Sequence, residues 1–364
     1  MTRPADDPLY PTMVVGSLPR PAAVVDVIQQ RLHGQIDREQ AERLLDDAVI
    51  EAIHLQEQAG LDYISDGEWR RENYARVFAD KVAGFSRESI RRGPLTLLAV
   101  VVEKIEPREP IVCSEVAFLR QNTDRKILVA LPSPCTVADL MWHPERSASV
   151  YPRRDDFIEA CVPIIRAELI ALSQLGVDAV QLDEPLLSRL ANPALYALDP
   201  ADLEAVVERS VNTINQVVEG LDAFTSVHLC HAHGEQRVIP GTEDLLRRAV
   251  QEMRVDRLAM EFNSPVAQQL QSLEDFPSDK LLGLGVIEPG NSQVESAELV
   301  VQRAQKALPF VDKERLFLNP DCGFATTASS STDLEMVCRK LAALCEGARL
   351  LRSMASESPR EVAH

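Results

Sequence analysis

Eight short apolar runs recur along this chain, at 13–17, 62–66, 126–132, 178–185, 226–234, 257–262, 281–288 and 316–323, and helical spacing of apolar residues separates most of them. Strands that alternate with helices pair in parallel through right-handed crossovers, because each helix must pack its apolar side back onto the sheet. Closure at eight predicts an α/β fold of the (β/α)8 TIM barrel type, with an open doubly wound sheet as the competing arrangement. Polar residues favour the barrel. Ser17, Glu68, Ser133, Asp183, His228, Cys230, Glu261, Glu288 and Cys322 fall at or just past the C-terminal ends of the runs, the face on which barrel enzymes carry their sites.

The connecting segments fit this alternation. Asp37 is placed to cap a helix on which Ala41, Leu44, Leu45, Ala48, Val49 and Ala52 share a side, and Gly60 follows its end. A second helix is expected over 155–175, kinked at Pro163 and terminated by Gly176. Asp199-Pro200 offers a cap and a first-turn proline to a third, and Thr242 caps a short fourth. Between 84 and 126 the pattern breaks, and 95–102 and 111–116 read as extended pieces of a β-rich insertion after the second strand. Residues 1–10 are expected to be loose and 356–364 to be a polar, disordered tail, so 1–364 reads as a single domain.

A formal net charge of -18 argues against nucleic acid or an anionic membrane as partner, since both call for a basic surface. No apolar run approaches the roughly 20 residues of a membrane span, and the first residues lack the apolar core of a signal peptide. Cytoplasmic residence and a small-molecule partner are the expectation. Seven cysteines at irregular spacing do not form a disulfide framework, which leaves them for metal or for core packing.

Within 226–234, His228 and Cys230 lie one residue apart on a strand, so their side chains share a face and can reach one ion. A tetrahedral zinc site needs three or four N, S or O ligands. Glu261 and Cys322, from the ends of the sixth and eighth runs, are the expected partners. Taken singly, a strand-end histidine is more often a hydrogen-bonded structural residue and a free cysteine a core residue; it is the combination that points to metal. Period two turns His231 and His233 away, to the rim. Cys161, Cys338 and Cys345 fall in expected helices and read as core, Cys113 has no partner at ligand spacing, and Cys135 follows the third strand near the site. Glu68 and Asp183 complete the rim, where a pair of carboxylates either holds an ammonium group or acts as acid and base.

Val15-Gly16-Ser17-Leu18-Pro19-Arg20, Asp66-Gly67-Glu68, Gln181-Leu182-Asp183-Glu184-Pro185, His228-Leu229-Cys230, Glu261 and Asn319-Pro320-Asp321-Cys322-Gly323 resemble, in order, the catalytic domain of cobalamin-independent methionine synthases. The resemblance implies zinc on His228, Cys230, Glu261 and Cys322, with Glu68 and Asp183 on the amino group of homocysteine and Ser17 on its carboxylate. It also implies methyl transfer to the thiol from a donor such as 5-methyltetrahydrofolate. One position departs: Gly290 stands where the family's methionine synthases carry a histidine that assists the folate leaving group, while nearby Glu288 is a candidate catalytic group. A related possibility is thiol alkylation as in epoxyalkane:coenzyme M transferases. Arg20, Arg70 and Arg71 would suit its sulfonate, although at least two of the three are expected on a solvated rim. The alternative of another class is a non-catalytic partner subunit with structural zinc or none.

Overall fold

The structure is a computed structural model that describes residues 3–357 apart from 87, 93–94, 98, 186, 188–201, 230–241, 264–272 and 326–332. Seven of the eight apolar runs are strands. In chain order they are β1 (Tyr63–Ile64), then, after the interruption, β6 (Lys126–Pro132), β7 (Ala179–Asp183), β8 (Phe224–Leu229), β9 (Arg257–Met260), β10 (Leu281–Ile287) and β11 (Leu316–Pro320). Neighbours in sequence are neighbours in space, all parallel, giving the order β1-β6-β7-β8-β9-β10-β11.

The sheet curls until its edges approach. Tyr63 of β1 and Phe317 of β11 bring their ring centroids to 6.2 Å. The first expected strand, 13–17, is not one: only single bridges form, Thr12 to Leu318 and Met13 to Tyr63. Its backbone nevertheless touches both edges, for Pro11 O accepts from Leu318 N at 2.9 Å and Thr12 O from Tyr63 N at 3.0 Å. A two-residue β1 offers no ladder along which a longer strand could pair, and Gly16 follows close behind. The observed architecture is thus a curled, parallel, seven-stranded sheet with helices in the connections.

Local signals placed the helices well. Asp37 accepts from Gln40 N at 2.7 Å to cap the helix Arg38–Ala59, and Gly60 ends it at φ 92°. Leu44, expected on its buried side, is exposed, and the core stripe is Ala41, Leu45, Val49, Ala52, Ile53 and Gln56. Pro163 lies inside the helix Arg154–Gln174. Two more connecting helices span Leu203–Val218 and Thr242–Glu252, and the Asp199-Pro200 cap falls outside the described residues.

Between β1 and β6 two antiparallel pairs form apart from the main sheet: β2 (Val82–Ser86) with β5 (Val100–Pro107), and β3 (Ile90–Arg92) with β4 (Leu95–Leu97). The second piece expected to be extended, 111–116, instead runs into the helix Cys113–Asn122, whose first amides are held by Glu168: its Oε1 accepts from Val112 N at 2.6 Å and Cys113 N at 3.0 Å. A carboxylate reaching from another helix stabilises the exposed N–H groups of a helix start. Within the stretch 1–10, expected to be loose, Asp7 is anchored. Asp7 is buried, accepting from Tyr63 Oη at 2.8 Å and Lys126 Nζ at 2.6 Å.

Candidate active site

Every described candidate lies at the C-terminal edge of the parallel sheet. Asp183 is the last residue of β7, His228 is near the end of β8, and Glu261, Glu288 and Cys322 follow β9, β10 and β11 directly or within two residues. Register makes Asp183 and His228 partners across β7 and β8. Cys230, His231 and His233 lie outside the described residues.

Three of the four expected metal ligands can therefore be placed, and His228, Glu261 and Cys322 are all buried. Among the described residues no group of three or more His, Cys, Asp and Glu is arranged to hold a metal ion; the His-x-Cys partner of His228 is not among them. What the structure does show is how the three placed residues are held. His228 Nδ1 lies 3.3 Å from Ala259 O, and a ring whose Nδ1–H is taken by a carbonyl presents Nε2 as its ligating atom. Asp321 ties two ligand-bearing turns together: its Oδ1 accepts from Phe262 N at 3.0 Å and from Asn263 Nδ2 at 2.9 Å, next to Glu261, while its own N–H bonds Ile287 O at 2.8 Å, next to Cys322. Burial pushes its carboxyl up to about 8. The strand between must be thin for this link to cross, and it is: a Cβ on Gly285 would stand 2.9 Å from Met260 O. Imidazole nitrogen, carboxylate oxygen and thiolate sulfur form an ordinary zinc donor set.

Ser17 joins the same corner. Its Oγ accepts from Ala325 N at 3.3 Å and its carbonyl from Phe324 N at 2.8 Å, and a Cβ on Gly323 would collide with the Oγ. The glycine after Cys322 is what lets Ser17 sit against that turn.

Glu68 is held in the left-handed region at φ 58°, following Gly67 at φ 67°, a conformation uncommon for a residue with a side chain and characteristic of functional sites. Asp66 Oδ1 supports the turn by accepting from Glu68 N at 2.9 Å. Gly16 makes room for the carboxylate, since a Cβ there would lie 2.7 Å from Glu68 Oε1. Glu68 Oε1 is 3.5 Å from Arg71 Nη1, and the buried Oε2 has no hydrogen-bond partner among the described residues. Burial raises its pKa, and Arg71 and Arg20 oppose the rise. Asp183 is pushed up to about 7, first by burial, with His228 opposing and Glu68 adding to the shift through its charge.

The three arginines are not a solvated rim. Arg71 is fully enclosed and holds Glu115 through Nε at 3.1 Å and Nη2 at 2.6 Å, with Nη1 donating to Ala130 O at 2.9 Å. Arg70 pairs with Asp46 at 2.6 Å and lies over the Phe118 ring. Arg20 Nη2 donates to Glu68 O at 2.9 Å. Sequence reasoning also missed a buried lysine. Lys340 Nζ donates to Glu288 O at 3.1 Å, Gln293 O at 2.7 Å and Glu295 Oε2 at 2.7 Å, and Glu295 Oε1 accepts from Glu288 N at 2.9 Å. This clamp fixes the turn that carries Gly290, itself exposed. A helical lysine gives no sequence signal of such a role. Asp321 did, inside a recognisable motif.

Parallel strands whose C-terminal ends gather buried acids, imidazole and thiol define an α/β enzyme-type site. Its family is specific: residues 10–343 match the family described as "Cobalamin-independent synthase, Catalytic domain", and the chain belongs to that family. It is 30% identical to the methionine synthase of Pyrococcus furiosus over 324 residues, covering 87% of this chain and 86% of that one. To the methionine synthase of Saccharolobus solfataricus it is 27% identical, covering 95% and 96%. The fold is similar to a B12-independent methionine synthase from Shewanella sp. W3-18-1 solved with selenomethionine, at a TM-score of 0.78 and 23% identity over 96% of this chain and 99% of that one.

Proposed function

We propose that this protein is a zinc-dependent methyltransferase that methylates the thiol of homocysteine or of a similar amino acid. The observation that carries this reading is the pair Glu68 and Asp183, two buried carboxylates within electrostatic reach of one another beside His228. Arg71 and Arg20 already offset part of the charge on Glu68 and His228 part of that on Asp183, and a pair of acids whose pKa values are still pushed up favours a further cation between them, a place that the substrate's ammonium group can take. Ser17, set against the Cys322 turn, takes the carboxylate. The names of the relatives, methionine synthases, support the same chemistry.

His228, Cys230, Glu261 and Cys322 would hold zinc, which lowers the thiol pKa so that the nucleophilic thiolate is present near neutral pH. The sulfur then attacks the methyl carbon, the S–C bond forms as the bond to the donor breaks, and a proton passes to the donor's leaving atom. Glu288, at the end of β10, is the candidate proton carrier. In this reading the curled sheet and the 11–13 segment work together as a closed eight-membered barrel, and the protein acts in the cytoplasm. Among the described residues no helix is long and apolar enough to cross a membrane.

Coenzyme M is the weaker thiol candidate, since Arg70 and Arg71 are committed to Asp46 and Glu115. The test is metal analysis followed by titration of the zinc form with homocysteine and with coenzyme M, following proton release. About one zinc per chain, proton release with homocysteine, and loss of thiol turnover in Cys322→Ser are expected. Absence of zinc, or tight binding of coenzyme M alone, overturns the reading.

A further inference from the structure

One layer below Asp183 and His228 the sheet carries a polar rung that thiol chemistry does not require. Gln181 on β7, Ser226 on β8 and Arg257 on β9 are successive partners in register, and all three are buried. Arg257 Nε donates to Ser226 Oγ at 3.0 Å and its Nη2 to Gln181 Oε1 at 3.2 Å, with the guanidinium 5.6 Å from the centre of the Phe317 ring. Gln181 Nε2 donates onward to Val15 O at 2.7 Å and to Asp183 Oδ1 at 3.0 Å. This leaves the amide one orientation, because its oxygen must meet the arginine and its nitrogen must meet two acceptors.

Stability does not account for the arginine. It is 0% exposed, and its Nη1 has no hydrogen-bond partner among the described residues. A buried charge without a bonded counter-charge costs more than an apolar side chain filling the same space. What Arg257 does supply is a fixed, charge-assisted donor to Gln181, and hydrogen bonds in a chain strengthen and orient one another in a low-dielectric interior.

We propose that Arg257 and Gln181 are positioning residues for substrate selection: the relay pins Asp183 Oδ1, so that the other carboxylate oxygen accepts the ammonium group of the amino-acid thiol. The proposal rests on the reading of Asp183 as an ammonium acceptor. Its consequence is specific. Breaking the relay should weaken recognition of the amine and leave recognition of the thiol and carboxylate alone.

The experiment compares two ligands on the zinc-loaded full chain by titration calorimetry: homocysteine and 4-sulfanylbutanoate, which keeps the thiol and carboxylate and lacks the amine. The unaltered protein should prefer homocysteine; equal affinities would remove the role of Asp183 and the relay with it. Given that preference, Gln181→Met should lose about tenfold in homocysteine affinity, the scale of one charge-assisted hydrogen bond, with 4-sulfanylbutanoate unchanged. Arg257→Met should move the same ratio, and Arg257→Lys should restore part of it. Parallel weakening of both ligands, or no change in either, overturns the relay while leaving Asp183 in place. Reading each variant as a ratio within one protein cancels losses of folded material. Should Gln181→Met not fold, Gln181→Asn replaces it, with an amide one methylene too short to span the gap.

Discussion

Glu68 illustrates how a single residue is held against its own preferences. A non-glycine residue at φ 58° gives up on the order of 1 kcal/mol or more, and only over-determination by Gly16, Asp66 and Arg71 keeps it there. Arg71 is the keystone of that group, engaging Glu115, Glu68 and Ala130 O while nearly inaccessible. Arg71→Met should therefore destabilise the protein by about 3–5 kcal/mol, because it strands Glu115 as a buried charge; the midpoint of urea unfolding measures it. Replacing both partners, Arg71→Met with Glu115→Leu, should recover much of the loss. At Gly290 the argument concerns chemistry. If methyltetrahydrofolate is a donor, Gly290→His should raise its kcat by about tenfold or more, within the range of general acid catalysis. A steady-state assay with unchanged turnover would show that the leaving group takes its proton elsewhere.

Among elements, β10 shows what a strand contributes by being thin. Leu281–Ile287 contains Gly283 and Gly285, and at both positions a Cβ would collide with a neighbouring side chain, that of Asn319 on β11 and that of Asp321 just past its end respectively. Gly285→Ala also meets Met260 O at 2.9 Å, a backbone atom that cannot step aside. The variant is expected to lose about 2 kcal/mol or more and, by detaching Asp321 from Phe262 N, to weaken the hold on the zinc proposed for Glu261 and Cys322. Chelator-competition kinetics would detect this, and unaltered metal release at normal stability would contradict the link between Asp321 and the proposed zinc site. The strands themselves were legible as apolar runs because each is buried by its neighbours. The 13–17 run forms no full strand because its pairing depends on a two-residue edge strand, a property of the partner and not of the run. The 111–116 segment is helical from Cys113 and not extended for a similar reason: its helix start is supported by Glu168, 55 residues away from Cys113.

Across the whole molecule, the helix Leu334–Glu357 meets the stretch 9–12 near the start of the described residues. The last helix, Leu334–Glu357, sends Arg352 to Leu9 O at 2.7 Å and to Asp62 Oδ2 at 2.6 Å, and Cys345 Sγ lies 3.9 Å from Thr12 Oγ1. Burial pushes the Cys345 thiol up to about 12. A raised thiol pKa makes thiolate scarce, so about one molecule in ten thousand carries it at pH 8. Iodoacetamide labelling of Cys345 in the native protein should then climb about tenfold for each pH unit between about 8 and 10, since only thiolate reacts. A plateau near pH 9, measured by peptide mass spectrometry, would mean that the last helix does not dock on the chain start as described.

The sequence by itself determined the strand–helix alternation, the side of the sheet on which the polar residues gather, and the family. These follow from periodicity and motif, which are properties of residues near one another in the chain. Only the tertiary structure decided which groups are held and by what: Arg71 with Glu115, Lys340 with Glu295, Asp321 across β10, and the rung from Arg257 through Gln181 to Asp183. Each of these joins residues from separate elements around a buried charge. A charged residue reads as surface in a sequence, and only burial, a consequence of the complete fold, makes its partner obligatory.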